Sequence, residues 1–107
     1  MAINPILSTA VSGLQANATR ASVSANNIAN QNTRDFTASK VNSNTIISNS
    51  SPAGGSGVQA QVIATNEPVN LVHEVTQLIE AEVAYRANAE VIRTAEELTE
   101  ETLDIIA

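Results

Sequence analysis

Between residues 70 and 106 apolar side chains recur at steps of three and four. One row runs Val72, Val75, Ile79, Val83, Ala87, Val91, Ala95, Leu98, Thr102, Ile105, the spacing of one face of a helix. A second row runs Leu71, Val75, Leu78, Tyr85, Ala89, Ile92, Leu103, Ile106, with gaps at Glu82, Glu96 and Thr99. These 37 residues contain neither Gly nor Pro. The pattern predicts one continuous helix, roughly 55 Å long at 1.5 Å per residue. Two rows side by side make an apolar face wider than a simple two-stranded seam needs. A helix this long cannot bury that face against so small a remainder. It requires a long partner, from the same chain or another.

Residues 2–30 show the same period. Their apolar row is Ile3, Leu7, Ala10, Leu14, Ala18, Ala21, Ala25, Ile28, with a mean step of roughly 3.6. Asn4 is placed to cap this helix, with Pro5 at its first position, where a missing N–H costs nothing. Gly13 interrupts the row. An interior Gly costs about 1 kcal/mol relative to Ala, so Gly13 is either a tolerated weak spot or a close helix–helix crossing. The helix should stop between Asn30 and Thr33, since Asn26, Asn27, Asn30 and Asn32 form helix interiors poorly and terminate them well. Asn26 and Asn30 share a face. The four amides suit a solvated terminus, or a polar patch that bonds a neighbouring backbone.

The period changes after residue 35. Strand-like runs occupy residues 36–47 and 58–65. In the second, Val58, Ala60, Val62 and Ala64 alternate with Gln59, Gln61, Ile63 and Thr65. Residues 48–57, rich in Ser, Gly and Pro, read as a flexible turn. Glu67, Pro68 and Val69 end the strand, and Asn70 caps the long helix. The expected fold is therefore mainly α. Long N- and C-terminal helices pair as an antiparallel helical hairpin or coiled coil, joined by a short β-hairpin. The chain reads as a single domain, 1–107, divided into 1–33, 34–69 and 70–107.

Composition narrows the kind of packing. The chain has 17 Ala, one Phe, one Tyr and no Trp. The core must be thin, built by close backbone approach rather than by large side chains, as in long-helix assemblies. The net charge of −6 is divided unevenly. Arg20, Arg34 and Lys40 against Asp35 give the first 66 residues +2. Ten acids against Arg86 and Arg93 give the rest −8. That balance argues against nucleic acid as a partner, because phosphate contacts need a basic surface. It also invites pairing of the positive first half with the negative last third. On the long helix, Glu82–Arg86 and Arg93–Glu97 are the expected pairs, each worth about 0.3–0.5 kcal/mol. No stretch is apolar and long enough for a transmembrane segment. The first 20 residues lack a basic start and an apolar run, so no cleaved secretory signal is expected.

Candidate chemistry is sparse. With no Cys, disulfides and thiol sites are excluded. His73 stands beside Glu74, but adjacent helical residues point apart and make no dyad. A capping or surface role suits His73 better than catalysis or metal binding. The Gly54-Gly55-Ser56-Gly57 stretch lacks the Lys and the strand-to-helix context of a phosphate loop. Glu96, Glu97, Glu100, Glu101 and Asp104 crowd the carboxyl end of the helix, where the dipole disfavours negative charge. Their spacing is not that of a calcium loop. It suits a solvated face, or a surface that needs basic partners. No catalytic residue, cofactor or metal is expected, and the chain does not read as an enzyme.

Two stretches are specific. Ser12-Gly13-Leu14-Gln15-Ala16 and Ala25-Asn26-Asn27-Ile28-Ala29-Asn30-Gln31-Asn32-Thr33 resemble the amino-terminal signature of the bacterial flagellar rod and hook family of axial proteins. Val69-Asn70-Leu71-Val72, Leu78-Ile79, Ala84-Tyr85-Arg86-Ala87-Asn88-Ala89 and Val91-Ile92-Arg93-Thr94-Ala95-Glu96-Glu97-Leu98 resemble that family's terminal helix. The resemblance implies terminal helices packed with neighbours in a helical tube. It implies export through the flagellar secretion apparatus without a cleaved signal, and a place in the periplasm-spanning rod of the basal body. The implied partners are other axial proteins, the chain itself and the export apparatus.

On this reading Leu7, Leu14 and Ile28 pair with Val75, Ile79, Val91 and Leu98, within or between subunits. Asn26, Asn27, Asn30, Asn32, Tyr85 and Asn88 are the polar members of the motifs. The chain departs from the family twice. Arg34-Asp35-Phe36 replaces a turn that usually holds Gly before an aromatic. A hairpin of about 30 residues also replaces the bulky middle domains of larger members, which points to the inner rod. The alternative is a soluble helical adaptor that binds rod or export components without polymerising.

Overall fold

A computed structural model describes residues 3–47 and 56–106. Two long helices pack against each other and are joined by an antiparallel β-hairpin. The order is α1 (Ile3–Ala29), β1 (Ser39–Ile47), β2 (Ser56–Ala64) and α2 (Leu71–Ile106). The turn read at residues 48–57 lies outside the described residues up to 55. Ser56 and Gly57 belong to β2.

Asn70 starts α2 as expected: its Oδ1 accepts the His73 N–H at 3.2 Å, and its carbonyl accepts the Glu74 N–H at 3.0 Å. α1 begins at Ile3, so Asn4 lies inside the first turn and not at the cap. Pro5 remains tolerable there, because the first four N–H groups of a helix have no intrahelical partner. At the other end Asn30 Nδ2 donates to the Asn26 carbonyl at 2.9 Å and to Asn26 Oδ1 at 3.0 Å. The chain then turns through Asp35 at φ 61°. Asp35 thus takes the left-handed conformation, which a short polar side chain permits.

α1 lies in the middle. α2 packs on one side of it and the hairpin on another, and α2 does not pack on the hairpin. The backbone extends 62 × 28 × 14 Å. Only α1 has neighbours on two sides, so the subunit encloses little, and the burial pattern reflects it. The only buried apolar residues described are Ala10, Ala16, Ala38, Ala81 and Ala95. With them are buried Asn17, Ser24, Asn27 and Glu74.

The seam between the helices is correspondingly small and polar. On α2 it follows Glu74, Ala81, Asn88 and Ala95, seven residues apart, the repeat of a coiled-coil seam. On α1 it follows Ala10, Gly13, Asn17, Ser24 and Asn27. This differs from the apolar rows of the sequence. Ala18 and Ala25 are exposed, and Leu7, Leu14, Ala21 and Ile28 are only half-buried. Small side chains win the seam because they let the backbones approach. A Cβ added at Gly13 would sit 2.8 Å from Asn88 Nδ2, so Gly13 is a close crossing rather than a tolerated weak spot. Among the described residues one ion pair joins the halves: Arg20 reaches Glu80 at 3.5 Å and donates to Gln77 Oε1 at 3.0 Å.

Candidate assembly surface

The outward face of α2 carries what a globular protein would bury. Val72 is 77% exposed, Ile79 56% and Val83 62%. With Val75 they form a stripe of branched side chains on the first half of the helix, away from α1. Further along, Val91, Leu98, Leu103, Ile105 and Ile106 are also exposed. Large contiguous apolar patches on a monomer mark interaction sites.

Val75, Ile79, Val91 and Leu98, the expected pairing residues of the long helix, therefore all lie on the surface of the subunit. Their expected partners Leu7, Leu14 and Ile28 are half-buried beside the seam.

Charge is arranged around the stripe. Arg86 Nη2 lies 2.7 Å from Glu82, and Arg93 Nη1 lies 3.0 Å from Glu97. Arg93 also bonds Glu90, which sequence spacing did not single out. The hydrogen bond from Arg93 holds the Glu90 carboxyl below its ordinary range, and the same contact raises Arg93. Glu96, Glu100, Glu101 and Asp104 are exposed without an ion pair among the described residues. No group of three or more His, Asp or Glu among the described residues is arranged to hold a metal. His73 is exposed at the helix start.

The hairpin is fixed by hydrogen bonds rather than by apolar contact. Asn27 is fully buried. Its Oδ1 accepts the Ser39 N–H at 3.0 Å and its Nδ2 donates to the Ser39 carbonyl at 2.8 Å. One side chain thus imitates a paired strand. At the far end of α1, Ser12 Oγ accepts the Val58 N–H at 3.0 Å, and Thr9 Oγ1 donates to the Ser56 carbonyl. Gly57 lies close, its missing Cβ 3.2 Å from Ser12 Oγ.

The other motif residues fall in different places. Asn26 and Asn30 close the helix end, Asn32 and Tyr85 are exposed, and Asn88 fills the notch at Gly13. The sequence reading missed Asn17, Ser24 and Glu74, which the seam buries. Their signal was available: polar residues in step with Ala10, Gly13 and Ala81 at helical spacing.

These elements offer an apolar face, a polar strand pair and an acidic end. No described helix is long and apolar enough to cross a membrane. Comparison with protein families gives two matches. Residues 66–105 match the model for the flagellar basal body rod FlgEFG protein C-terminal region, and residues 7–37 match that for the flagella basal body rod protein. Comparison with curated proteins gives no match.

Proposed function

We propose, because this chain belongs to the flagellar basal-body rod family, that it is a rod subunit that works by helical self- or co-assembly. The two matched segments hold both long helices and most of the seam, and they assign the chain a structural role in the basal body. Its partners are other rod proteins. The finer reading makes residues 1–107 one domain, exported by the flagellar apparatus.

The observation that carries the assembly reading is the inversion of the subunit. Ala and Asn lie inside, while Val72, Ile79 and Val83 lie outside. Burying one such side chain against a neighbour stabilises the contact by about 1.5–3 kcal/mol. A contact that joins two different faces and does not close generates a tube. The pairing of Leu7, Leu14 and Ile28 with Val75, Ile79, Val91 and Leu98 is then a contact between subunits.

Quantitative mass spectrometry of purified hook–basal bodies, beside the soluble fraction, tests this. A fixed, several-fold copy number relative to a ring protein is expected. Absence from the basal body with abundance in the soluble fraction would replace it with the adaptor reading.

A further inference from the structure

Each outer edge of the hairpin is covered along one half and bare along the other. The register and the bond from Thr65 N–H to the Ala38 carbonyl fix the pleat. They make Ser39↔Ala64, Val41↔Val62, Ser43↔Ala60, Thr45↔Val58 and Ile47↔Ser56 the pairs that exchange no hydrogen bond. Such residues turn their N–H and C=O groups outward. At the start of β1, Asn27 satisfies Ser39; at the start of β2, Thr9 and Ser12 satisfy Ser56 and Val58. These grips sit at opposite ends and on opposite edges, so the hairpin crosses α1 diagonally.

Along the remaining halves Val41 and Ala60 are half-buried, Ser43, Thr45 and Val62 are exposed, and no described side chain grips the strand. The outward groups of Val41, Ser43 and Thr45 on β1, and of Ala60 and Val62 on β2, have no protein partner among the described residues. Natural edges are usually defended by charge, Pro or a bulge. Residues 41–47 and 60–64 contain no charge and no Pro, and the register runs without a bulge.

We infer that these half-edges dock a second copy of this chain: β1 of one subunit adds to β2 of the next, extending the hairpins into an antiparallel sheet across subunits. When successive copies face the same way, β1 of one runs antiparallel to β2 of its neighbour. The foot of β1, with Lys40, then comes beside the end of β2, where Glu67 follows. Both side chains are exposed and line one cleft of the subunit, and among the described residues neither has an ion pair. Pairing β1 with β1 gives Lys40 no opposite charge. It also closes the contact, whereas β1 on β2 joins two different surfaces and repeats. The inference rests on the self-assembly reading and names one surface through which it acts.

Sedimentation velocity of the purified full chain, with hydrogen exchange, is the test. The wild type should associate as concentration rises, with slowed exchange at Val41, Ser43, Thr45, Ala60 and Val62. Ser43→Pro and Val62→Pro each remove an outward N–H that the hairpin's own ladder does not use. Each should lower association about tenfold or more, while Ser43→Ala and Val62→Ala leave it near wild type. An equal mixture of the two Pro variants should give dimers and nothing larger, since each supplies one intact edge.

If a Pro variant loses the hairpin, the charge swap decides. Lys40→Glu and Glu67→Lys should each weaken association about threefold, and the double variant should restore it. A wild type that stays monomeric, or that associates with both half-edges still exchanging freely, overturns the inference. So does a charge swap without rescue, sensitivity at β1 alone, or protection that appears only with another rod protein. None of these outcomes removes the chain from the basal body, which the copy-number measurement reads separately.

Discussion

α1 and α2 are both long amphipathic helices, yet they treat their apolar residues differently. Among the described residues α1 exposes two large hydrophobics, Ile6 and Val11, whereas α2 exposes eleven. The difference follows from position. α1 is flanked by α2 and by the hairpin, while α2 packs on α1 alone. The inner helix has been fitted to its neighbours with Ala, Gly, Ser and Asn, and the outer helix has kept its branched side chains for contacts beyond the subunit. The element with fewest partners inside the chain is where partners outside it are to be sought.

The sharpest way to break this contrast is to place a charge on the outer helix. Ile79→Glu should leave the purified chain's unfolding free energy within about 0.5 kcal/mol of wild type, as exposed substitutions do. It should abolish incorporation into basal bodies, measured by copy number. Normal incorporation would mean that the stripe is not an assembly surface.

The largest effect on stability is expected on the inner helix. Asn27→Ala removes both bonds to Ser39 and strands its half-buried N–H and C=O, which should cost about 1–3 kcal/mol. Exchange at the foot of β1 should quicken while α2 is little changed. Equal loss across both helices would show that the hairpin is not held locally.

Gly13 gives a smaller and more diagnostic result. Gly13→Ala alone should bring no gain, since the new methyl meets Asn88. In an Asn88→Ala background the same change should stabilise by about 1 kcal/mol, the ordinary helix preference for Ala. Thermal melts of the four-member cycle read the coupling. Smallest is Asp35→Gly, which relieves the left-handed position and should raise stability by under about 1 kcal/mol. A loss of stability there would mean that the Asp35 side chain contributes more than its backbone strain removes.

The extents of the helices were readable in advance, because residues 70–106 lack Gly and Pro and keep one period throughout. The hairpin was readable from the alternation around Val58 and Ala60. What could not be read was which face points inward. The rule that the most apolar row is buried holds for a chain that completes its core alone. Here Val75, Ile79 and Leu98 of that row are exposed, and of its members only Ala95 is buried, in a seam it shares with Ala81 and Asn88, which belong to neither row. Periodicity identifies a face that excludes water without stating whose surface it meets. Asn27 was legible only as a motif member, because hydrogen bonding to a strand twelve residues away leaves no periodic trace.

The smallness of the seam also has a thermodynamic consequence. A subunit held by Ala contacts and a few amide bonds has little apolar surface to lose on unfolding, and so a shallow heat-capacity change. The larger apolar term belongs to association, and anything that binds only the folded form raises its apparent stability by mass action. The temperature at which this chain melts should therefore rise with the amount of chain present.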